Sequence, residues 1–406
     1  MSDQSKSLSK YNWPVIGGNQ KRSAFRPNET VPRTEPKKLW EHEISKLTSD
    51  FREVVTDEEL LYIINGSSAG DLIAIDKKTG KRNWKQITEV NYSDARGTNT
   101  PIITDKEVIL LKPRENEGYD LCTLDKNTGK IQSKYELETD ATGLSAPLML
   151  SDRIVYVITP CGSIKAIDID LREKIWDKNI FTDSTTHHTT ALHDNKIYYG
   201  NYDGRLVCID LKTKNVVWKL NKNNSIRGLS AKDNKLYVAF GGGNHGSLLK
   251  SYDNQTGEKS WEYSLPGTPS YMASNHNFIY VGTNSGTIHS FDENGEQWWE
   301  YQTDEKESHG WLSRKLLPDY RIHGPGGPPT VADGIVLFGG GDGKIYAVDA
   351  KKGDLLWKKK LCSSKEPRWG IRSQPVVDDG IIYIHDFSST KKEIKEGFVY
   401  ALDASI

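Results

Sequence analysis

The chain has 406 residues, with 54 Lys+Arg against 55 Asp+Glu, a formal net charge of −1 and 36% hydrophobic residues. A balance this close to neutral argues against a dedicated nucleic-acid or anionic-membrane protein, because both partners are held by a net basic field. An aromatic content of 10%, with 11 Trp and 19 Tyr, is more apolar surface than a disordered chain leaves in water, so a large folded core is expected.

The opening MSDQSKSLSKYNW has no apolar run of signal-peptide length and no small-residue cleavage site. No stretch approaches the roughly 18 apolar residues of a membrane span. A cytoplasmic chain is therefore expected, a trimmed exported protein being the alternative, with residues 1–35 as an extension packing on a single domain that starts at residue 36. Cys122, Cys161, Cys208 and Cys362 are widely spaced and form no CxxC or adjacent pair, which fits reduced thiols.

From residue 36 the chain is a repeat. KKLWEHEI, around Trp40, is an isolated β-run. After it one unit recurs: a β-run, a turn, a second β-run ending in Asp, a TGK-like turn, and a third run carrying Trp. The copies begin with LLYIINGSSAGDLIAIDKKTGKRNW (60–84) and VILLKPRENEGYDLCTLDKNTGKIQS (108–133), the latter with Ser133 in the Trp position. IVYVITPCGSIKAIDIDLREKIW, IYYGNYDGRLVCIDLKTKNVVW, LYVAFGGGNHGSLLKSYDNQTGEKSW, IYVGTNSGTIHSFDENGEQWW and IVLFGGGDGKIYAVDAKKGDLLW come next. The last copy, IIYIHDFSSTKKEIKEGFVYALDASI, stops just beyond its Asp. The marker aspartates are Asp76, Asp125, Asp168, Asp210, Asp253, Asp292, Asp349 and Asp403, eight in all.

A further β-run precedes each unit, as in TPIITD or QPVVDDG. Four short β-runs per ~40–50 residues is the arithmetic of a propeller blade. The predicted fold is all-β: one eight-bladed β-propeller of four-stranded antiparallel blades over residues 36–406. Asp403 has no Trp eight residues on, because the sequence stops at Ile406. The strand around Trp40 supplies it, so the N-terminal strand closes the ring and removes the last exposed edges. The repeat Trp is expected to pack between blades, where its large ring buries the most surface.

The A-x-D-x-x-T-G-K-x-x-W pattern, plainest in AIDKKTGKRNW, resembles the PQQ-like (quinoprotein, tryptophan-docking) repeat family of eight-bladed propellers. The resemblance covers roughly residues 40–406, and NWPVIGGNQKRSAF resembles the entry segment ahead of many such propellers. It implies the fold. It also raises pyrroloquinoline quinone as a cofactor, whereas the residues themselves call for none. The quinoprotein dehydrogenases carry an adjacent-cysteine disulfide over the cofactor, and no two cysteines here are neighbours.

Alternating strand direction puts the second-to-third-strand loops and the blade-to-blade connections on one face, and the TGK turns on the other. The long insertions (85–100, 241–246, 300–329, 358–374 and 387–397) all fall on the first face, which is therefore the expected binding face. The starts of the innermost strands there offer Arg96, His187, His188, Arg227, Tyr271, His323, Trp369 and Arg372. The 300–329 insertion adds His309, Trp311, Arg314, Asp319 and Tyr320. Such a mouth suits a small anionic or planar ligand, or a peptide or protein partner. His187, His309, His323, Asp319 and Tyr320 are the candidate acid–base groups. Arg96, His188, Arg227, Tyr271, Trp311, Arg314, Trp369 and Arg372 are the candidate ligand contacts. His187 and His188 are neighbours in a strand and point to opposite faces, so they form no metal pair. FGGGDGK lacks the Ser/Thr of a phosphate loop and leads into a strand. Three functions remain open: a non-redox binding or scaffold module, an enzyme working in the axial funnel, and a quinone-dependent oxidoreductase.

Overall fold

The computed structural model describes residues 18–19, 21, 23–44, 54–65, 71–86, 100–114, 118–138, 147–159, 162–181, 188–222, 224–241, 246–304, 327–362, 370–386 and 397–404. Every regular element in them is a β-strand, and the strands form eight sheets. Each sheet is built on one blade of four antiparallel strands, the first innermost; seven blades are laid down in chain order, and blade 7 carries one added parallel strand. Blade 5 is representative: Ser225–Lys232, Lys235–Gly241, Ser247–Asp253 and Lys259–Leu265. The first strands stand side by side around the axis, His188–His193 of blade 4 against Ser225–Lys232, and that strand against Pro269–Ser274 of blade 6.

Blade 8 is assembled from both ends of the chain. Val376–Asp378, Ile381–His385 and Gly397–Asp403 are its first three strands, and Lys38–Ile44 is its fourth. Trp40 stands opposite Ala401 and Glu41 opposite Tyr400. Asp403 N donates to Lys37 O at 2.8 Å, reproducing the bond from Asp76 N to Lys81 O in blade 1. The ring is closed by the N-terminal strand, as predicted.

Two local rules recur in most blades. The marker aspartate ends the third strand and its carboxylate caps the turn: Asp76 Oδ1 accepts from Thr79 N and Thr79 Oγ1, each at 2.7 Å. Asp168 Oδ1 does the same for Asp170 N and Leu171 N, each at 2.9 Å. These are Asx turns, in which the carboxylate satisfies amides at the tip. The repeat Trp then packs on a second-strand Tyr of its own blade, as in Tyr62–Trp84 at 5.8 Å between ring centroids and Tyr280–Trp299 at 5.8 Å. Trp40 does this with Tyr383 at 5.9 Å, so the N-terminal Trp serves blade 8 as the others serve theirs.

The tryptophans also lock each blade to the next. Trp84 lies against Gly129 of blade 2, where a Cβ would run into the indole, and its Nε1 donates to Lys126 O at 2.6 Å. Trp40 meets Gly80 and Lys77 O of blade 1 in the same way, with a 2.8 Å hydrogen bond. Trp218 with Gly257, Trp261 with Gly295 and Trp299 with Gly353 repeat the contact. The turn glycine thus has two jobs. It takes the left-handed backbone (φ +69 at Gly80) and leaves room for the neighbouring indole. The core is correspondingly divided among the interfaces between blades, as with Leu337, Ile345, Ile382, Ile384 and Leu402 between blades 7 and 8.

Residues 23–37, with Lys21 ahead of them, form a strap over the end of the axis on the TGK side. Ala231 N donates to Lys21 O at 3.0 Å, Ser274 N to Ser23 O at 2.7 Å and Val331 N to Ala24 O at 2.9 Å. Phe25–Arg26 then pairs in parallel with Thr330–Ala332, the first strand of blade 7. Pro32 O accepts from Trp357 Nε1 at 2.7 Å, where Trp84 and Trp299 instead bond the carbonyl after the next blade's marker aspartate. The strap therefore satisfies amides on the channel edge of three successive inner strands, which would otherwise present open pairing edges.

Candidate functional site

The strap meets the end of the axis through charged groups that are buried and compensated. Lys77 is 4% exposed, and its Nζ donates to Asp378 Oδ2 at 2.7 Å and to Asp57 O at 2.9 Å. Burial lowers the Arg26 guanidinium to about 10, against the opposing fields of Asp378 and Glu29. Burial first, and then Asp378, raise the Glu29 carboxyl above its ordinary range, with Arg26 acting the other way. These groups bind one another and the strap, and the insertion-bearing face is the opposite end of the axis.

On that face the described residues bring two predicted contacts into view. Arg227 is the third residue of the first strand of blade 5, at a β-bulge where the register slips between Ile226 and Gly228. A bulge turns a side chain away from the regular alternation of a strand. The Arg227 guanidinium lies 4.2 Å from the Tyr202 ring centroid, and Nη1 donates to the Tyr202 hydroxyl at 2.8 Å. Its stem runs beside Gly241, where a Cβ would sit 3.1 Å from Arg227 Cγ. Nε is buried with no hydrogen-bond partner, and among the described residues no carboxylate pairs with this cation. Arg153 and Arg114 by contrast each hold two carboxylates. A half-buried guanidinium on an aromatic platform, with no counter-charge among the described residues, has the chemistry to receive a planar anion.

Arg372 is 4% exposed, just ahead of the first strand of blade 8, with its carbonyl against Gly327. Behind it Ser373 Oγ ties the sheet, accepting from His385 N at 2.9 Å and donating to His385 O at 2.7 Å. On the same face the Asp386 carboxylate accepts from Phe398 N at 2.8 Å and from the Tyr400 hydroxyl at 3.0 Å. Burial raises this carboxyl above the usual range.

His188 opens the first strand of blade 4 and Tyr271 lies within that of blade 6, at a second bulge between Pro269 and Met272. Arg96, His187, His309, Trp311, Arg314, Asp319, Tyr320, His323 and Trp369 lie outside the described residues. Cys122, Cys208 and Cys362 are buried free thiols. Among the described residues there is no group of three or more His, Cys, Asp or Glu placed to hold a metal ion. Tyr202 is the contact that sequence reasoning misses. Its one signal is its place in the NYDG turn between the second and third strands of blade 4, on the insertion face.

A family model described as outer membrane protein assembly factor BamB matches residues 28–241 and 244–405. The chain belongs to this family of PQQ-like propellers. Among curated proteins, the quinohemoprotein alcohol dehydrogenase of Comamonas testosteroni is 29% identical over 155 residues, 34% of this chain and 22% of that enzyme. The 1-butanol dehydrogenase (cytochrome c) of Thauera butanivorans is 28% identical over 164 residues, 36% of this chain and 23% of that enzyme. The matched stretch is thus less than a quarter of either enzyme's length. Among solved structures, BamB from Moraxella catarrhalis superposes with a TM-score of 0.59 at 19% identity, over 90% of this chain and 98% of that one. At these identities a structural likeness speaks for the fold.

Proposed function

We propose that this PQQ-like propeller is a quinoprotein-type oxidoreductase unit that takes a planar, polycarboxylate quinone of the pyrroloquinoline quinone class at the insertion-bearing end of its axis. The observation that carries the reading is Arg227 on Tyr202, a half-buried cation with no carboxylate partner among the described residues, on the face opposite the strap. The curated relatives supply the class of chemistry, since they include a quinohemoprotein alcohol dehydrogenase and a cytochrome c-linked 1-butanol dehydrogenase.

The fit is one of donor chemistry. A polycarboxylate needs a fixed cation that is not already neutralised, and a planar ring system gains from an aromatic neighbour. Arg227 and Tyr202 offer both. When bound, the quinone supplies a two-electron acceptor. This chain's part is to hold its carboxylates, exclude water and orient it. No pair of neighbouring cysteines exists in the sequence, so a disulfide like that over the cofactor of the dehydrogenases is not part of this site. The test is an absorbance titration of purified protein with pyrroloquinoline quinone and calcium. The reading expects saturable uptake that Arg227→Met weakens by about 1.5–3 kcal/mol, the worth of a charge-assisted hydrogen bond. Absence of uptake removes the oxidoreductase reading.

A second reading, a non-redox binding or scaffold propeller, is favoured by the near end-to-end match to the assembly-factor family model. It predicts no quinone uptake, and capture of a partner that is lost when the 303–322 insertion is deleted.

A further inference from the structure

The indole lock is missing at one interface, and a different fastener stands there. Blade 2 has Ser133 in the Trp position, and Ser133 Oγ turns inward to Thr123 Oγ1 at 2.8 Å. The facing turn of blade 3 has Arg172 at the glycine position, held at φ +59. Both halves of the lock are therefore absent together. At the next interface Trp176 is kept, but Lys214, also at φ +59, replaces the glycine. Lys178 Nζ reaches across to Lys214 O at 2.8 Å. Among the described residues, only the interface between blades 2 and 3 lacks both indole and glycine.

Beside the apolar cluster that the two blades share, the fastener that stands in for the lock is ionic. Arg153 Nη1 lies 2.6 Å from Glu107 Oε1 of blade 2, while Nη2 and Nε hold Asp170 Oδ1 and Oδ2 of blade 3 at 2.6 and 3.0 Å. Glu107 is buried and Asp170 half exposed. Lys106, next to Glu107, adds a positive field at Asp170. Arg153 reaches this place at a backbone cost. Its φ is +67, in the hairpin position where blades 4, 5, 7 and 8 carry Asn195, Asn234, Gly334 and Gly380. An arginine in the left-handed region is uncommon, and its side chain is the evident reason for it.

We infer that the interface between blades 2 and 3 is the gate of the ring. It is the place where the closed wheel opens first, and the Glu107–Arg153–Asp170 clasp sets how often. An indole lock buries a large apolar surface and works at any ionic strength, whereas a part-exposed ionic clasp is weakened by salt. Local opening is drawn from the least stable contacts of a fold. This is independent of what the propeller binds.

Native thiols serve as internal references. Cys122 packs in the cluster that holds Trp84, Cys208 in the one that holds Trp218, and all three described cysteines are buried. Val157 belongs to the cluster shared by blades 2 and 3. In full-length Val157→Cys protein, thiol labelling under native conditions is followed peptide by peptide. Residue 157 is expected to react about ten times faster than Cys208, and faster still in high salt. Adding Arg153→Met, or separately Glu107→Gln, accelerates labelling at 157 and leaves Cys208 unchanged. Adding Ser133→Trp with Arg172→Gly, which rebuilds the lock, slows it. Equal rates at 157 and 208, or an Arg153→Met variant that speeds both sites alike, overturn the inference.

Discussion

At the scale of single residues, the repeat depends on a ring meeting a glycine. A methyl group at Gly257 would sit 2.8 Å from Trp218 Cδ2, on a backbone at φ +75. Gly257→Ala is therefore expected to destabilise the fold by roughly 1–3 kcal/mol through overpacking and backbone strain together. A urea midpoint that falls at unchanged slope is the signature, and an unchanged midpoint would mean the indole is free to shift. His289 makes a separate prediction. It is 1% exposed, neither ring nitrogen has a hydrogen-bond partner, and Nδ1 lies 3.5 Å from Glu300 Oε2. Burial lowers its pKa, opposed by the Glu300 charge. Above the unfolded value of ~6.5 both states are neutral and pH has no effect through this group. Below it the unfolded chain takes a proton that the folded chain refuses, so stability falls with pH until the folded value is passed. His289→Phe, which keeps the stacking on Phe291, should flatten the stability curve between about pH 6.5 and 5. Denaturation midpoints across that range decide it.

At the scale of elements, the strap and the strand Lys38–Ile44 are one continuous fastener. The strap ends by giving Pro32 O to Trp357 and Lys37 O to Asp403, and the next residue begins the fourth strand of blade 8. Trp357→Phe keeps an aromatic ring but loses the donor, and should cost about 1 kcal/mol in thermal or urea unfolding. Loss of several kcal/mol would mean the indole packing itself has collapsed. The blades, the marker turns and the closing strand were all legible in the sequence, because each is dictated by spacing: Asp to Trp, and one Trp displaced to the start of the chain. The strap's route was not legible. It is held by backbone carbonyls of Lys21, Ser23 and Ala24, and a carbonyl acceptor leaves no mark on side-chain identity. The partnership of Trp with the next blade's glycine was hidden for a similar reason. Either residue alone has a sufficient local explanation, one as core and the other as a tight turn.

For the whole molecule, the ring gives two unlike ends to its axis. One is crossed by the strap with Arg26, Lys77, Asp378 and Glu29 compensating one another, and the other carries Arg227 on Tyr202. The candidate site was only partly legible in the sequence. Arg227 could be placed at the start of an inner strand, but its want of a counter-ion among the described residues and its tyrosine platform arise from the bulge and from a neighbouring blade. If the insertion-bearing end is where a planar anion binds, an experimental structure of the protein in the presence of pyrroloquinoline quinone and calcium tests it most directly. The prediction is quinone density on the insertion face with a carboxylate at Arg227. Density at the strapped end, or a saturated sample with Arg227 untouched, would contradict it.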